Sequence, residues 1–358
     1  MTSTPDIHPA LNTRITELFG VKYPVVQTGM GYVSDARLTA ATAAAGGLGI
    51  LSAGLLSYDE LAQAIDEVKA QTDQPFGVNI RADQADAAKR IDLMVSKGVK
   101  VASFALAPKE ALIDRCKAGG MAVVCSIGAK RHAEKVAAWG VDAVIVQGGE
   151  GGGHTGQVPT SLLLPQVANA VDIAVIGAGG FFDGRGLVAA LAYGADGVAM
   201  GTRFLMTQES PVADAVKQVY LDTDLSGTIL TKEIDGLPQR VINGKTISLL
   251  EGTGALRRLL RAGKNAVAFQ KMSGTPWTEI IKEGLAMKKA QNMPWSRVIM
   301  AANAPMLYRS ALLEGNADVG IMASGQVVGM IDDIPSVKEL IDRVVAEADE
   351  TLRGFGAA

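Results

Sequence analysis

One stretch of the chain combines the residue types that chemistry needs. From Val144 to Gly156 it reads Val-Ile-Val-Gln-Gly-Gly-Glu-Gly-Gly-Gly-His-Thr-Gly, an apolar strand running into a glycine-rich loop that carries Glu150 and His154. Without a Cβ, such backbone reaches conformations closed to other residues and lies close against a ligand. An imidazole exchanges a proton near neutral pH, which suits a general acid or base. His154 is one of three histidines in the chain. His132 sits in the charged run Lys130 to Lys135 and is expected to be solvated, and His8 lies in an expected flexible terminus. Glu150 fits a residue that supports the loop. From composition alone, a tight turn with a locally bonded histidine reads equally well.

The elements that must position this loop form a repeating pattern. Eight short apolar runs occur in the first 205 residues: Val25–Gln27, Gly49–Leu51, Phe76–Asn79, Val101–Phe104, Val123–Cys125, Ala143–Val146, Ala174–Gly177 and Gly197–Met200. Runs rich in Val and Ile on both faces suit strands covered on both sides. Helical patterns lie between them, several ending at a glycine such as Gly98, Gly140 or Gly194, the usual C-terminal stop. Alternation of this kind predicts an α/β fold, a closed (β/α)8 TIM barrel, with an open doubly wound sheet as the alternative. In such a barrel the site lies at the C-terminal strand ends, often with a phosphate site after strands seven and eight. Gly177-Ala178-Gly179-Gly180 and Gly201-Thr202-Arg203 stand there and offer backbone N–H groups to a phosphate. Residues 206–310 break the repetition and are expected to form a mainly helical, substrate-side subdomain over the barrel mouth. The barrel itself is expected to comprise 1–205 and 311–358, closing with a helix over Ser336–Leu352.

Composition narrows the function class. With 48% hydrophobic and 20% charged residues the chain has the balance of a globular enzyme. No apolar run reaches the length of a membrane span, and the polar start is not expected to act as a secretory signal. Two cysteines, Cys116 and Cys125, are too few for a disulfide framework or a zinc site, so no metal is expected and the setting is read as cytoplasmic. Cys125 is read as a small buried strand residue, with a position facing a ligand as the alternative. Between Leu230 and Met300 twelve Lys/Arg face five Asp/Glu, which leaves 22 against 32 elsewhere. A basic segment on an acidic body suits an anionic ligand, although a solvated helical surface accounts for it too. Nucleic acid is not expected at a pI near 5.7. Trp277 and Trp295 are read as core of the 206–310 region, with packing over a substrate as the alternative.

Seven motifs in order carry a family resemblance. They are Pro24 to Gly31, Ala45 to Gly49, Pro75 to Asn79, Gln147 to Gly156, Gly177 to Gly180, Gly201 to Phe204 and Ser324 to Gly329. The chain resembles the nitronate monooxygenase-like family of FMN-dependent barrel enzymes, which also holds flavin enoyl reductases. The resemblance implies FMN, with Gln27, Gly29 and Met30 beside the flavin and Asn79 hydrogen-bonded to its ring. It implies that Gln147, Gly152 and Gly153 line the cofactor edge and that Gly179, Gly180, Gly201 and Thr202 hold its phosphate. Gly325 and Gln326 would reach it from the C-terminal segment, and His154 matches the catalytic histidine. Gly151 stands where many members carry alanine.

Within the family the motifs look like a branch of bacterial steroid catabolism that desaturates a coenzyme A thioester of a hydrindane ring remnant. Ser103 to Pro108 and Met300 to Asn303 look like that branch as well. Arg257, Arg258, Arg261 and Lys264 then become candidates for the coenzyme A phosphates. The implied partner is a small acyl-CoA thioester, with NAD(P)H as electron donor or NAD(P)+ as acceptor, and a homodimer is a further expectation. Nitronate oxidation with O2, enoyl reduction, and flavin binding without turnover are the competing readings.

Overall fold

A computed structural model describes residues 7–105, 107–252 and 295–356. Arg257, Arg258, Arg261, Lys264 and Trp277 lie outside them. Eight parallel strands close on themselves: β1 (Val25–Gln27), β2 (Leu48–Ser52), β3 (Gly77–Ile80), β4 (Val101–Phe104), β5 (Ala122–Ile127), β6 (Ala143–Gln147), β8 (Ala174–Ala178) and β9 (Gly197–Met200). Closure is direct, since β1 pairs with β2 through Val26↔Leu48 and with β9 through Gln27↔Met200. The eight apolar runs are these strands, and the fold is the (β/α)8 barrel.

The strand period of two divides the core into two layers. Val26, Leu48, Ile50, Val101, Val124, Ile145 and Ile176 fill the barrel interior. Val25, Leu51, Val78, Val123, Val144 and Val175 point outward against the helices. Each such side chain contributes roughly 1.5–3 kcal/mol by leaving water. Cys125 belongs to the outward layer and is fully buried there, which raises its thiol to about 12. It faces helices, not the barrel mouth.

The outer ring is made by α2 (Ala36–Ala44), α3 (Tyr58–Gln71), α4 (Ala87–Ser96), α5 (Glu110–Ala118), α6 (Lys130–Ala138), α7 (Thr160–Ala168) and α8 (Gly184–Ala192). Helix α3 starts on a reciprocal capping box, Ser57 with Glu60. The last helix, here α13 (Val337–Gly356), returns to this ring: a Cβ on Gly184 of α8 would lie 2.4 Å from the Val344 carbonyl oxygen. His132 on α6 is exposed, as expected. His8, expected in a flexible terminus, is tied down instead. Its Nδ1 accepts from the Ala10 N–H at 3.2 Å, and its own N–H donates to Asp349 at 2.6 Å.

Among the described residues, 206–310 carry the helices α10 (Asp214–Leu221), α11 (Lys245–Gly252) and the start of α12 (Trp295–Leu312). They also carry an antiparallel hairpin absent from that expectation, β10 (Thr228–Thr231) with β11 (Gln239–Ile242). Its strands are rich in β-branched residues, and the connecting loop turns at Gly236 with φ of 91°. A third short strand, β7 (Gly153–His154), joins the hairpin through Gln239↔His154. Ile234, Val241, Ile247, Ala304 and Ile321 form a small separate core that binds the hairpin to α11 and α12. No described helix is long and apolar enough to cross a membrane.

Candidate functional site

The glycine-rich loop leaves β6 at Gln147 and folds back on the barrel rim. The Gln147 side-chain amide donates to the carbonyls of Gly152 (3.1 Å) and His154 (3.0 Å), so the strand end itself holds the loop. Thr155 Oγ1 donates to the Gly148 carbonyl at 2.8 Å, and the Arg240 Nε donates to the Gly149 carbonyl at 3.0 Å. The glycines also admit neighbours. A Cβ on Gly152 would lie 2.6 Å from the Gly325 nitrogen, which is how the C-terminal segment comes to lie on the loop. That segment is bonded there by Gln326 N–H to the Glu150 carbonyl (2.9 Å) and by Gly325 N–H to Thr202 Oγ1 (2.9 Å).

His154 is half exposed, and its Nε2 lies 2.7 Å from Asp235 Oδ2 on the hairpin loop. Asp235 is itself well covered. Burial alone would push its carboxyl up. The hydrogen bond and charge of His154, the Gln239 amide and the Leu237 N–H outweigh this and hold it below the usual carboxylate range. Behind it, Tyr308 of α12 donates to Gln239 Oε1 at 2.5 Å. Sequence reasoning missed Asp235, Gln239 and Tyr308. The signal for Asp235 was the Asp235-Gly236-Leu237-Pro238 turn between two β-branched runs.

The other expected residues gather at the same barrel end, with one exception. Gly29 and Asn79 touch: a Cβ on Gly29 would sit 2.5 Å from the Asn79 Cβ. Asn79 Nδ2 donates to Ser103 Oγ at 3.1 Å, which leaves its carbonyl oxygen as the group to meet a donor. Met30 and Gly201 meet where β1 and β9 end, since a Cβ on Gly201 would lie 3.4 Å from the Met30 sulfur. Gln27 is the exception. It is fully buried, with its amide donating to Ser34 Oγ at 2.7 Å, so it organises the loop after β1 and does not reach the mouth.

Gly179 and Gly180 have φ of 92° and 84°, a conformation that favours glycine. Neither amide donates to an acceptor among the described residues. Thr202, with its hydroxyl, opens the short helix α9 (Thr202–Leu205) beside them. Free N–H groups next to a hydroxyl fit the phosphate of a flavin nucleotide. The Asn79 carbonyl and the close loop glycines fit its ring. Arg203, the next residue, is spent elsewhere: buried, it donates to Asp333 Oδ1 at 2.9 Å and to the Met206 carbonyl at 2.8 Å.

The profile of the family described as nitronate monooxygenase matches residues 12–90 and 86–347. A protein of Rhodococcus jostii is 58% identical over 347 residues, covering 97% of this chain and 98% of its own. One of Mycobacterium tuberculosis is 58% identical over 350 residues, covering 97% and 99%. Both bear the name (3aS,4S,5R,7aS)-5-hydroxy-7a-methyl-1-oxo-octahydro-1H-indene-4-carboxyl-CoA dehydrogenase. Among solved structures, FabK from Thermotoga maritima superposes with a TM-score of 0.77 at 31% identity, covering 96% of this chain and 98% of that one. Matched by the profile across nearly its whole length, the chain belongs to the nitronate monooxygenase family of flavin-dependent oxidoreductases.

Proposed function

We propose that the chain is an FMN-dependent dehydrogenase that desaturates a coenzyme A thioester of a steroid-derived hydrindane ring. The observation that carries this is 58% identity, sustained over 97% of the chain, to two proteins named for such a dehydrogenase. FMN as the particular flavin, NAD(P)+ as electron acceptor, a cytoplasmic setting and a homodimer belong to the same reading. So do the placing of Asn79 at the flavin ring and of Gly179, Gly180, Gly201 and Thr202 at its phosphate. Arg257, Arg258, Arg261 and Lys264 remain its candidates for the coenzyme A phosphates.

The thioester carbonyl acidifies the C–H bond next to it. His154, on the loop at the barrel mouth, takes that proton, and the electron pair left on carbon becomes the new C=C bond. Hydride departs from the neighbouring carbon with its own electron pair, so the substrate loses two electrons and two hydrogens. Bound FMN supplies the acceptor for that hydride. Glu150 does not exchange the proton in this reading, because its carboxylate is engaged by Thr160 N–H at 2.8 Å. It holds the loop that carries His154.

The test is to mix the purified flavoprotein anaerobically with the hydrindane carboxyl-CoA thioester and follow the visible flavin band. Bleaching by the thioester, lost in His154→Ala, is expected. A second reading, nitronate oxidation, is favoured by the family profile. Rapid oxygen uptake with propionate 3-nitronate, together with no bleaching by the thioester, would overturn the first reading in favour of the second.

A further inference from the structure

We propose that Asp235 sets the tautomer of His154, keeping hydrogen on Nε2 so that Nδ1 is the nitrogen that exchanges the substrate proton. The inference rests on the reading of His154 as the proton-moving group and names the atom that acts. Nε2 is committed, at 2.7 Å from Asp235 Oδ2. A carboxylate only accepts hydrogen bonds, so the nitrogen facing it must carry the hydrogen. Neutral imidazole has one N–H, which leaves the Nδ1 lone pair as its only base.

The surroundings keep Asp235 in this role. Its other oxygen, Oδ1, accepts from the Leu237 N–H at 3.0 Å. Tyr308 donates to the Gln239 oxygen, which turns the Gln239 amide nitrogen away from the tyrosine. That nitrogen is buried without a full hydrogen bond of its own, yet lies close enough to Asp235 to help keep it ionised. The imidazole backbone is held independently, by pairing of His154 with Gln239 across β7 and β11 and by the Gln147 amide on its carbonyl. Asp235 is therefore a positioning residue, acting through His154.

Asp235→Asn tests this without a change of shape. The Leu237 N–H still needs an acceptor, so the new amide places its oxygen at Oδ1 and its NH2 toward His154. Nε2 must then accept, and hydrogen moves to Nδ1. With three histidines in the chain, long-range 15N–1H spectra of the 15N-histidine-labelled holoenzyme report the tautomer directly, His154→Ala giving the assignment. Expected are Nε2–H in the native protein and Nδ1–H in Asp235→Asn. The loss in kcat on the thioester is expected to be about 10²–10⁴-fold with KM little changed, partly restored by Asp235→Glu.

Nδ1–H in the native protein, or Nε2–H retained in Asp235→Asn, overturns the proposal. A switched tautomer with undiminished kcat overturns the assignment of Nδ1. If Asp235→Asn does not fold, the native tautomer alone decides. Absence of thioester turnover in the native enzyme counts against the proposed substrate, and the spectra still decide the tautomer.

Discussion

The Glu150 carboxylate holds Thr160 twice, at its backbone N–H (2.8 Å) and at its hydroxyl (2.7 Å). Thr160 is the first residue of α7, so an anion sits where the helix leaves N–H groups unpaired. The same hydroxyl lies 2.9 Å from the Gly179 carbonyl. One side chain thus fastens the His154 loop to the expected phosphate cradle. Glu150→Ala is expected to cost about 1–2 kcal/mol of stability and to weaken flavin binding. A double-mutant cycle with Thr160→Ala in thermal unfolding should show coupling, and strictly additive losses would contradict this linkage.

Gly29 is required by proximity to Asn79. Alanine there places its Cβ 2.5 Å from that of Asn79, closer than real Cβ atoms approach. Gly29→Ala should lose about 1–3 kcal/mol and purify with reduced flavin content. Full flavin content at an unchanged melting temperature would show that the two strand ends are not in contact.

The cradle glycines can be separated from glycines that serve only a turn. Gly98 also has a left-handed φ, 74°, with open space around its missing Cβ, in the turn between α4 and β4. Alanine at Gly98, Gly179 or Gly180 should cost about 1 kcal/mol in each case from the backbone alone. Flavin affinity, followed by fluorescence on release, is expected to fall only for Gly179→Ala and Gly180→Ala. Equal affinity in all three variants would remove these amides from the phosphate site.

Asp333 links pH to the anchoring of the C-terminal segment. Burial pushes its carboxyl up, but the hydrogen bond from Arg343 and the charges of Arg203 and Arg343 outweigh it and leave it below its usual range. A carboxyl depressed in the fold stabilises above its unfolded value, about 3.9, and loses that contribution as pH falls through the lower folded value. Asp333→Asn should therefore lower the melting temperature at neutral pH, by the equivalent of about 1 kcal/mol or less, because the partly exposed carboxylate is screened by solvent. The difference from the native protein should shrink as pH drops below about 4. A difference constant down to pH 3 would show that the carboxylate charge is not what holds Arg203.

The barrel was legible because its cause is local. Runs of Val and Ile at strand spacing, helical patterns between them and glycines at helix ends each act over a few residues, and eight repeats leave few ways to pack. The glycine-rich loop with His154 and the Gly179-Gly180 pair was legible for the same reason. Their chemistry is written in consecutive positions.

The hairpin of β10 and β11 was harder to see, since its four-residue strands lack any repeat and draw their stability from a small core shared with α11 and α12. Gln27 had the right position for a ligand, but its amide found Ser34. His154 and Asp235 are 81 positions apart, and nothing local to either residue names the other. The scaffold, the loop and the ionisable group the loop carries were all readable from the order of residues alone. Which nitrogen of that group is committed depended on tertiary packing, because a hydrogen bond between distant segments exists only once the fold has brought both segments to one place.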